Sequence, residues 1–419
     1  MKSSDTNATD GGDGTGRGEA TGRPFDRRDV LRSGAAVVGA GVFAGCLAGG
    51  GGGSGGEGDG DGGGDGGSDG GDGSGDGDGG SGDGDGGSGD GDGGGTTNIA
   101  IISSPAGFGD GAFNDLALDG LESAAEEHDI EIQQVEETDQ SNYQTVQSRL
   151  AESTNPDYDL VVMVGFNHTQ ALETNAAEYP DQYWMLINDS VDQPNVAGYT
   201  WANHEMSFQA GVLAGTMTTR ELEYEGNSND PDGTTVGFVG GVEGALIRAF
   251  ERSYVAGVEW VDEEIDVRVG YAGSFSSPQD GREVALSQYD AGADIVYHAA
   301  AATGRGVFQA AQDQSRFAIG VDSDQSQTLP EYQDVIIGSA VKYINEGTNE
   351  VATAVVEGNW ESVQGANVLG LEDDAVAVVL GQAIGPELPD VVNQNLSDAK
   401  EAILNGDVTV PCTASGCES

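Results

Sequence analysis

"TTVGFVGGVEGALIRAFERSYVAGV", residues 234–258, opens as a short apolar run, breaks at paired glycines and continues as an amphipathic stretch. The run has the length of a strand, and the stretch predicts a helix over 246–262. The alternation repeats outward in both directions. Upstream, "NIAIIS" (98–103) precedes a helix-like 113–128, "IEIQQVE" (130–136) precedes 143–153, and "YDLVVMVG" (158–165) precedes 169–179. "QYWMLIND" (182–189) follows Pro180, and a helix is expected around 205–219. Downstream, "VRVGYAGSF" (267–275), "DIVYHAA" (294–300) and "RFAIGVD" (316–322) alternate with helix-like 280–291 and 304–314. Strands alternating with helices predict an α/β fold with parallel sheets. The polar break "RELEYEGNSNDPDG" (220–233) divides the series. Two sheets of about four to six strands fit that division better than one closed α/β barrel, the alternative architecture.

Composition separates the folded part from what precedes it. Gly49 to Gly95 contain only glycine, serine, aspartate and Glu57, with no apolar side chain to offset the entropy of ordering. Residues 47–95 therefore read as a disordered tether, reaching roughly 40 Å root-mean-square as a flexible coil. The net charge of −56 does not come from this tail: 54 of the 72 acids but only 10 of the 16 bases lie in 96–419. Lysine occurs only as Lys2, Lys342 and Lys400. Such a surface suits multimolar salt, which screens charge within about 3 Å, and points to an extreme halophile. It offers no basic face to a nucleic acid.

Residues 1–46 read as an export signal. Arg27-Arg28 precede the apolar run Val37–Ala44, which is too short to span a membrane, and Phe43-Ala44-Gly45-Cys46 follows. The segment resembles a twin-arginine signal ending in a lipoprotein box, with Cys46 lipidated and the folded part held at the extracytoplasmic face; an uncleaved weak anchor is the alternative. The remaining cysteines, Cys412 and Cys417, are read either as a small disulfide loop or as two free thiols. A lone C-x4-C is weak evidence for zinc, and the scattered His128, His168 and His204 suggest no metal site.

In open parallel sheets ligands gather beyond the carboxyl ends of the strands. Phe113 and Asn114, in "GDGAFND" (109–115), follow the first strand; Gly165 and Phe166 follow the third. Phe275 ends "YAGSF", Ala300–Thr303 follow "DIVYHAA", and Asp322 ends "RFAIGVD". Two lobes with facing loops would put these residues around one cleft. The competing reading makes Phe113 and Phe275 core residues and Asp322 a turn cap; His298, in "VYHAA", is read as a hydrogen-bonded structural histidine, with ligand contact as its alternative. "GFVGGVEG" (237–244) does not match the glycine spacing of a dinucleotide loop.

"GDGAFND", "FQAGVLAG" (208–215), "VGFVGGVEGALIRAFERSYVAGV" (236–258), "YAGSFSSPQDGREVA" (271–285), "VYHAAAATGRGVFQAA" (296–311), "IGVDSDQ" (319–325) and "GSAVKY" (338–343) form an ordered set. Together they resemble the basic membrane protein family of ABC-transporter substrate-binding lipoproteins, many of which bind purine nucleosides. The resemblance runs from Asn98 to Asp407. It implies a type I periplasmic-binding-protein fold: two lobes, each a parallel sheet flanked by helices, joined by a hinge crossed more than once. Lobe 1 is expected at 96–219 and lobe 2 at 220–325, with 326–419 returning across the hinge to complete both.

The resemblance also implies roles. Phe113, followed by Asn114, stacks on one face of a nucleobase and Phe275 closes the other, while Asp322 and Lys342 hold the ribose hydroxyls. Elementary chemistry agrees, since stacking is worth about 1–3 kcal/mol per base and a carboxylate can accept from two vicinal hydroxyls. Two positions depart from the family pattern. Ser104 stands where an aspartate often reads the purine edge, and Ala301-Ala302 replace a glycine pair beside the ligand. Asp110 is the candidate to replace the missing carboxylate.

The expected function is capture of a nucleoside, purine type favoured, and delivery to ABC permease subunits by a monomer without cofactor or metal. A surface nucleoside hydrolase and a ligand sensor are the alternatives. Asp322 and Asp324 lack the further acids or histidines that hydrolysis would need. Alanine at Phe113 or Asp322 is expected to abolish a ligand-induced melting shift and to leave the unliganded melting point nearly unchanged.

Overall fold

The computed structural model describes residues 95–417. The export signal, Cys46 and the tether up to Gly94 lie outside the described residues. Among the described residues no helix is long and apolar enough to cross a membrane.

Two six-stranded sheets organise the chain. The first contains β1 (Thr97–Ile102), β2 (Ile130–Val135), β3 (Leu160–Met163), β4 (Tyr183–Ile187), β5 (Val196–Trp201) and β13 (Gly365–Leu369), in the order β13-β5-β4-β3-β1-β2. Every neighbouring pair in it is parallel. The second contains β8 (Thr235–Gly240), β9 (Asp266–Tyr271), β10 (Ile295–Ala299), β11 (Phe317–Asp322), β12 (Ile336–Lys342) and β14 (Val376–Leu380), in the order β14-β12-β11-β10-β8-β9. Only its edge strand β14 runs antiparallel. A two-stranded hairpin, β6 (Glu223–Tyr224) with β7 (Asn227–Ser228), occupies the polar break. The α/β architecture with two separate sheets is thus the observed one, and the barrel alternative falls.

Central strands are buried along their whole length because helices cover both faces, so they read as unbroken apolar runs. Edge strands β2 and β9 show mixed exposure instead. In the first lobe the covering helices are α1 (Phe113–Glu127), α2 (Tyr143–Ala151) and α3 (Thr169–Glu178). In the second they include α5 (Ala245–Val261), α6 (Pro278–Asp290) and α7 (Arg305–Gln314), followed by the short α8 (Gln325–Thr328).

Helix α4 (Asn203–Thr218) differs from its expected place. Reading 96–219 as one lobe puts it with the first sheet, but it packs on α5, on α10 (Val391–Leu404) and on strands of the second sheet. It is buried almost all round, so its sequence has no polar stripe to show which sheet it faces. Glycines set the approach: a Cβ on Gly211 would lie 2.1 Å from Tyr254 O, and one on Gly257 2.0 Å from Phe208 O. The chain therefore leaves the first lobe at Trp201–Asn203. It returns after β12 through α9 (Ile344–Val356), which packs on α1, and crosses again between β13 and β14.

Candidate functional site

The loop from Ser103 to Ala112 joins β1 to α1 and is knit by its own polar groups. Asn114 donates from Nδ2 to Ser104 Oγ (2.9 Å) and Asp110 Oδ2 (2.8 Å), and its Oδ1 accepts from the Ser104 N–H (2.8 Å). Asp110 accepts from the backbone N–H groups of Ala112 and Asn114 at the start of α1. Asp115 accepts from the N–H groups of Gly109 and Gly111, both at 2.7 Å. The result fixes Phe113 as the first residue of α1 with its ring toward the space beyond β1 and β3. Gly165 makes room for that ring: at φ 109° it tolerates a conformation other residues avoid, and a Cβ there would stand 3.3 Å from Phe113 Cε1.

From the second lobe, every contribution comes from the carboxyl end of a strand or the start of the helix after it. Leu246, Ile247 and Phe250 lie on the first turns of α5 after β8, and Phe275 follows β9. Ala300 and Ala301 follow β10, Asp322 ends β11 and Lys342 ends β12. These residues and Phe113 enclose one cleft of about 520 Å³, counting the part open to solvent.

The charged end of the cleft is the pair Asp322–Lys342. Lys342 Nζ lies 3.0 Å from Asp322 Oδ1, with side chains 2% and 8% exposed. The amine donates to Asn203 Oδ1 at 3.1 Å and sits 4.8 Å from the Phe113 ring centroid and 5.7 Å from that of Phe250. Those ring distances are in cation–π range. Beyond that amine, no donor of any described residue reaches Asp322 Oδ1. Three residues of the cleft wall hold left-handed backbone without being glycine: Asn188 (φ 66°), Ala301 (φ 47°) and Asp322 (φ 69°). Strain of this kind gathers where surrounding structure fixes a ligand site.

Behind the wall lie the histidines. His298, fully buried, bonds through Nε2 to Gln325 Oε1 (2.9 Å), which also accepts from the Val321 N–H (2.8 Å) and so steadies the end of β11. His168 bonds to Ser103 O (3.0 Å) and stacks on Tyr143 at 3.7 Å. Burial pushes His168, His204 and His298 down to about 4. Among the described residues no group of three or more His, Cys, Asp or Glu could hold a metal ion. The lobes also meet directly. Arg305 donates to Gly109 O (2.7 Å), and Ser323 Oγ (2.8 Å) and Thr328 Oγ1 (2.7 Å) donate to Gly111 O. Near the chain end Cys412 and Cys417 form a disulfide, and the Cys417 N–H donates to Ala245 O at the start of α5.

Ser104, Phe113, Gly165, Phe275, Ala301, Asp322 and Lys342 all line the cleft. Asn114 and Asp110 do not. Asn114 is wholly buried beneath Ser104, and Asp110 is spent on capping α1, so it does not replace the missing carboxylate in the wall. Burial raises its carboxyl above the usual range, against the pull of its bonds to Asn114. Sequence reasoning passed over Asn188, Phe250 and Asn203. Asn188 closes the apolar run "QYWMLIND", so the strand-end rule that picks out Phe275 applies to it equally. Phe250 lies one turn into α5, where periodicity marks only a core face.

Two α/β lobes with one cleft between their facing strand ends, lined by rings and one buried ion pair, define a binding protein. Residues 97–413 match the family model of PnrA-like ABC transporter substrate-binding proteins, and the chain belongs to that family. It is 31% identical to the CD4+ T-cell-stimulating antigen of Listeria innocua, over 75% of this chain and 87% of that one. It is 28% identical to the ABC transporter nucleoside-binding protein BmpA of Lactococcus lactis, over 74% and 88%. A solute-binding protein of an ABC transporter system from Aeropyrum pernix shares the fold, with a TM-score of 0.64 at 23% identity, covering 75% of this chain and 94% of that chain.

Proposed function

We propose that this protein captures a nucleoside, with purines favoured, and delivers it to the permease of an ABC importer from a lipid anchor on the extracytoplasmic face. One observation carries the reading: Phe113 from one lobe and Phe275 from the other line the same cleft as the buried Asp322–Lys342 pair. A nucleobase offers two faces to two rings, and its ribose offers hydroxyl donors to the Asp322 carboxylate held beside the Lys342 amine. The tether would hold the lobes near the permease at high effective concentration. The acidic, lysine-poor surface suits the same task in high salt.

The test is a thermal-shift panel in multimolar KCl with inosine, guanosine, adenosine and uridine, on the wild type and Phe275→Ala. Phe275 is only half buried, so the variant should fold. A shift with at least one nucleoside that the variant loses supports the reading; no shift with any of them sinks it. Free base appearing on incubation would indicate an enzyme instead.

A further inference from the structure

Two buried acceptors in the cleft wall receive no hydrogen bond of regular geometry, Asp322 Oδ1 in the second lobe and Asn188 Oδ1 in the first. Asp322 has the Lys342 amine beside it as an ion pair. Asn188 has no such neighbour. Its residue is 7% exposed at the end of β4, with left-handed backbone. The Asn188 N–H donates to Tyr199 O at 2.7 Å. The following Asp189 accepts from Thr169 Oγ1 (2.6 Å) and the Ser190 N–H (2.8 Å). The Asn188 backbone bond and the Asp189 carboxylate bonds hold this stretch of chain at the end of β4, while the Asn188 side-chain amide makes no bond of its own. A buried carbonyl without a donor is unfavourable, and native proteins keep few of them without a use.

We propose that Asn188 determines specificity, with its Oδ1 accepting from an N–H on the edge of the bound ring system, so that the cleft selects nucleosides carrying such a donor. The proposal rests on the nucleoside reading above. Charge argues for the ring edge rather than the sugar. The first-lobe wall (Ser104, Phe113, Phe166, Asn167 and Asn188 among it) holds no ionised side chain, whereas the second lobe brings the Asp322–Lys342 pair. Hydroxyls gain most from the charged acceptor, which leaves the neutral amide for the neutral amino or imino group of a base. Left-handed backbone fits the role as well, since Asn tolerates it better than most residues and keeps a short, stiff reach.

Titration calorimetry in multimolar KCl with inosine, adenosine and purine riboside tests this, because purine riboside has the same rings and sugar but no ring-edge N–H. The wild type should bind inosine or adenosine on the order of 10-fold more tightly than purine riboside, the cost of leaving the amide unpaired. Asn188→Gly keeps the backbone conformation and removes the acceptor, so it should bring the ligands to within about threefold by weakening the donor-bearing ones. Asn188→Asp keeps an acceptor and should keep the preference. A wild type indifferent to the N–H, a preference surviving in Asn188→Gly, or one lost in Asn188→Asp overturns the assignment while leaving nucleoside binding intact. No heat with any of the three ligands fails the nucleoside reading itself, and this assignment with it. Unliganded melting points report whether each variant folds.

Discussion

Removing the Asp322 charge tests whether the cleft's ion pair is sealed from water. Asn tolerates the left-handed φ of 69° at this position as Asp does, so Asp322→Asn changes charge and little else. It strands the Lys342 cation with its side chain 2% exposed. Breaking a buried pair from one side costs about 3–5 kcal/mol. Lys342 keeps its bond to Asn203 and its two neighbouring rings, which favours the lower end of that range. At roughly 2 °C per kcal/mol for a chain of this size, the unliganded melting point should fall by about 6 °C. Lys342→Met should cost a comparable amount by stranding the carboxylate. The double variant carries no charge and should recover most of the loss, giving a coupling of about 2–3 kcal/mol in urea unfolding. Because the pair is buried, the coupling should hardly differ between about 1 M and 3 M KCl. Additive single losses, or singles melting with the wild type, would show the pair to be hydrated and the reasoning wrong. The expectation from sequence that Asp322→Ala spares the unliganded protein is therefore reversed. The same applies to Phe113, which is 8% exposed and part of the core as well as the cleft wall.

Ala301 holds φ at 47°, so Ala301→Gly should raise unfolding free energy by about 0.5–1 kcal/mol, strain relief outweighing the extra freedom of the unfolded chain; a loss of stability in urea unfolding would refute this. His168 and His298 are held near 4 against an ordinary value of 6.5, so their contribution is whole above pH 6.5 and lost as pH falls through 4, on the order of 3 kcal/mol each. Burial raises Asp294 to about 6, and its contribution has the opposite sign, present below pH 3.8 and lost as pH rises through 6. The histidines outweigh it, so melting points in high salt should drop between pH 6.5 and 4.5; a flat or rising profile would contradict the balance. Ser323→Ala with Thr328→Val removes both donors from Gly111 O, and should weaken ligand binding about tenfold while opening the unliganded lobes in solution scattering; unchanged affinity and radius of gyration would rule those bonds out as a clasp.

Strand and helix alternation was legible because buried parallel strands leave unbroken apolar runs, and the runs from "NIAIIS" to "RFAIGVD" supply eight of the twelve sheet strands in order, whereas β5, β13 and β14 were not read as strands. What periodicity could not supply was allegiance. A helix buried on every side, such as α4, carries no stripe to orient it, and the glycines that bring it against α5 become informative only once the partner backbone is in view. The site divides similarly. Phe275, Asp322 and Lys342 stand at strand ends, where position along the chain implies a cleft. Asp110 occupies an equally suggestive loop, but helix capping consumes its oxygens, and a sequence does not distinguish a carboxylate facing a ligand from one facing a helix. Asn203 was invisible for another reason: its bond to Lys342 joins positions 139 residues apart.

Closing the lobes and holding a guest depend on the same short loops. Gly109 and Gly111, whose carbonyls receive the bonds from Arg305, Ser323 and Thr328, lie four and two residues before Phe113; Ser323 immediately follows Asp322. A guest that presses on Phe113 or draws on Asp322 therefore acts on the two segments that join the lobes. Three such bonds are worth about 3 kcal/mol together, a balance small enough for a ligand touching both lobes to decide. A guest reaching one lobe alone has no differential affinity for the closed form and shifts nothing. The cleft's division, neutral acceptor on one side and ion pair on the other, thus rewards a molecule with donors at both ends of a flat body and leaves shorter or one-sided molecules unable to draw the lobes together.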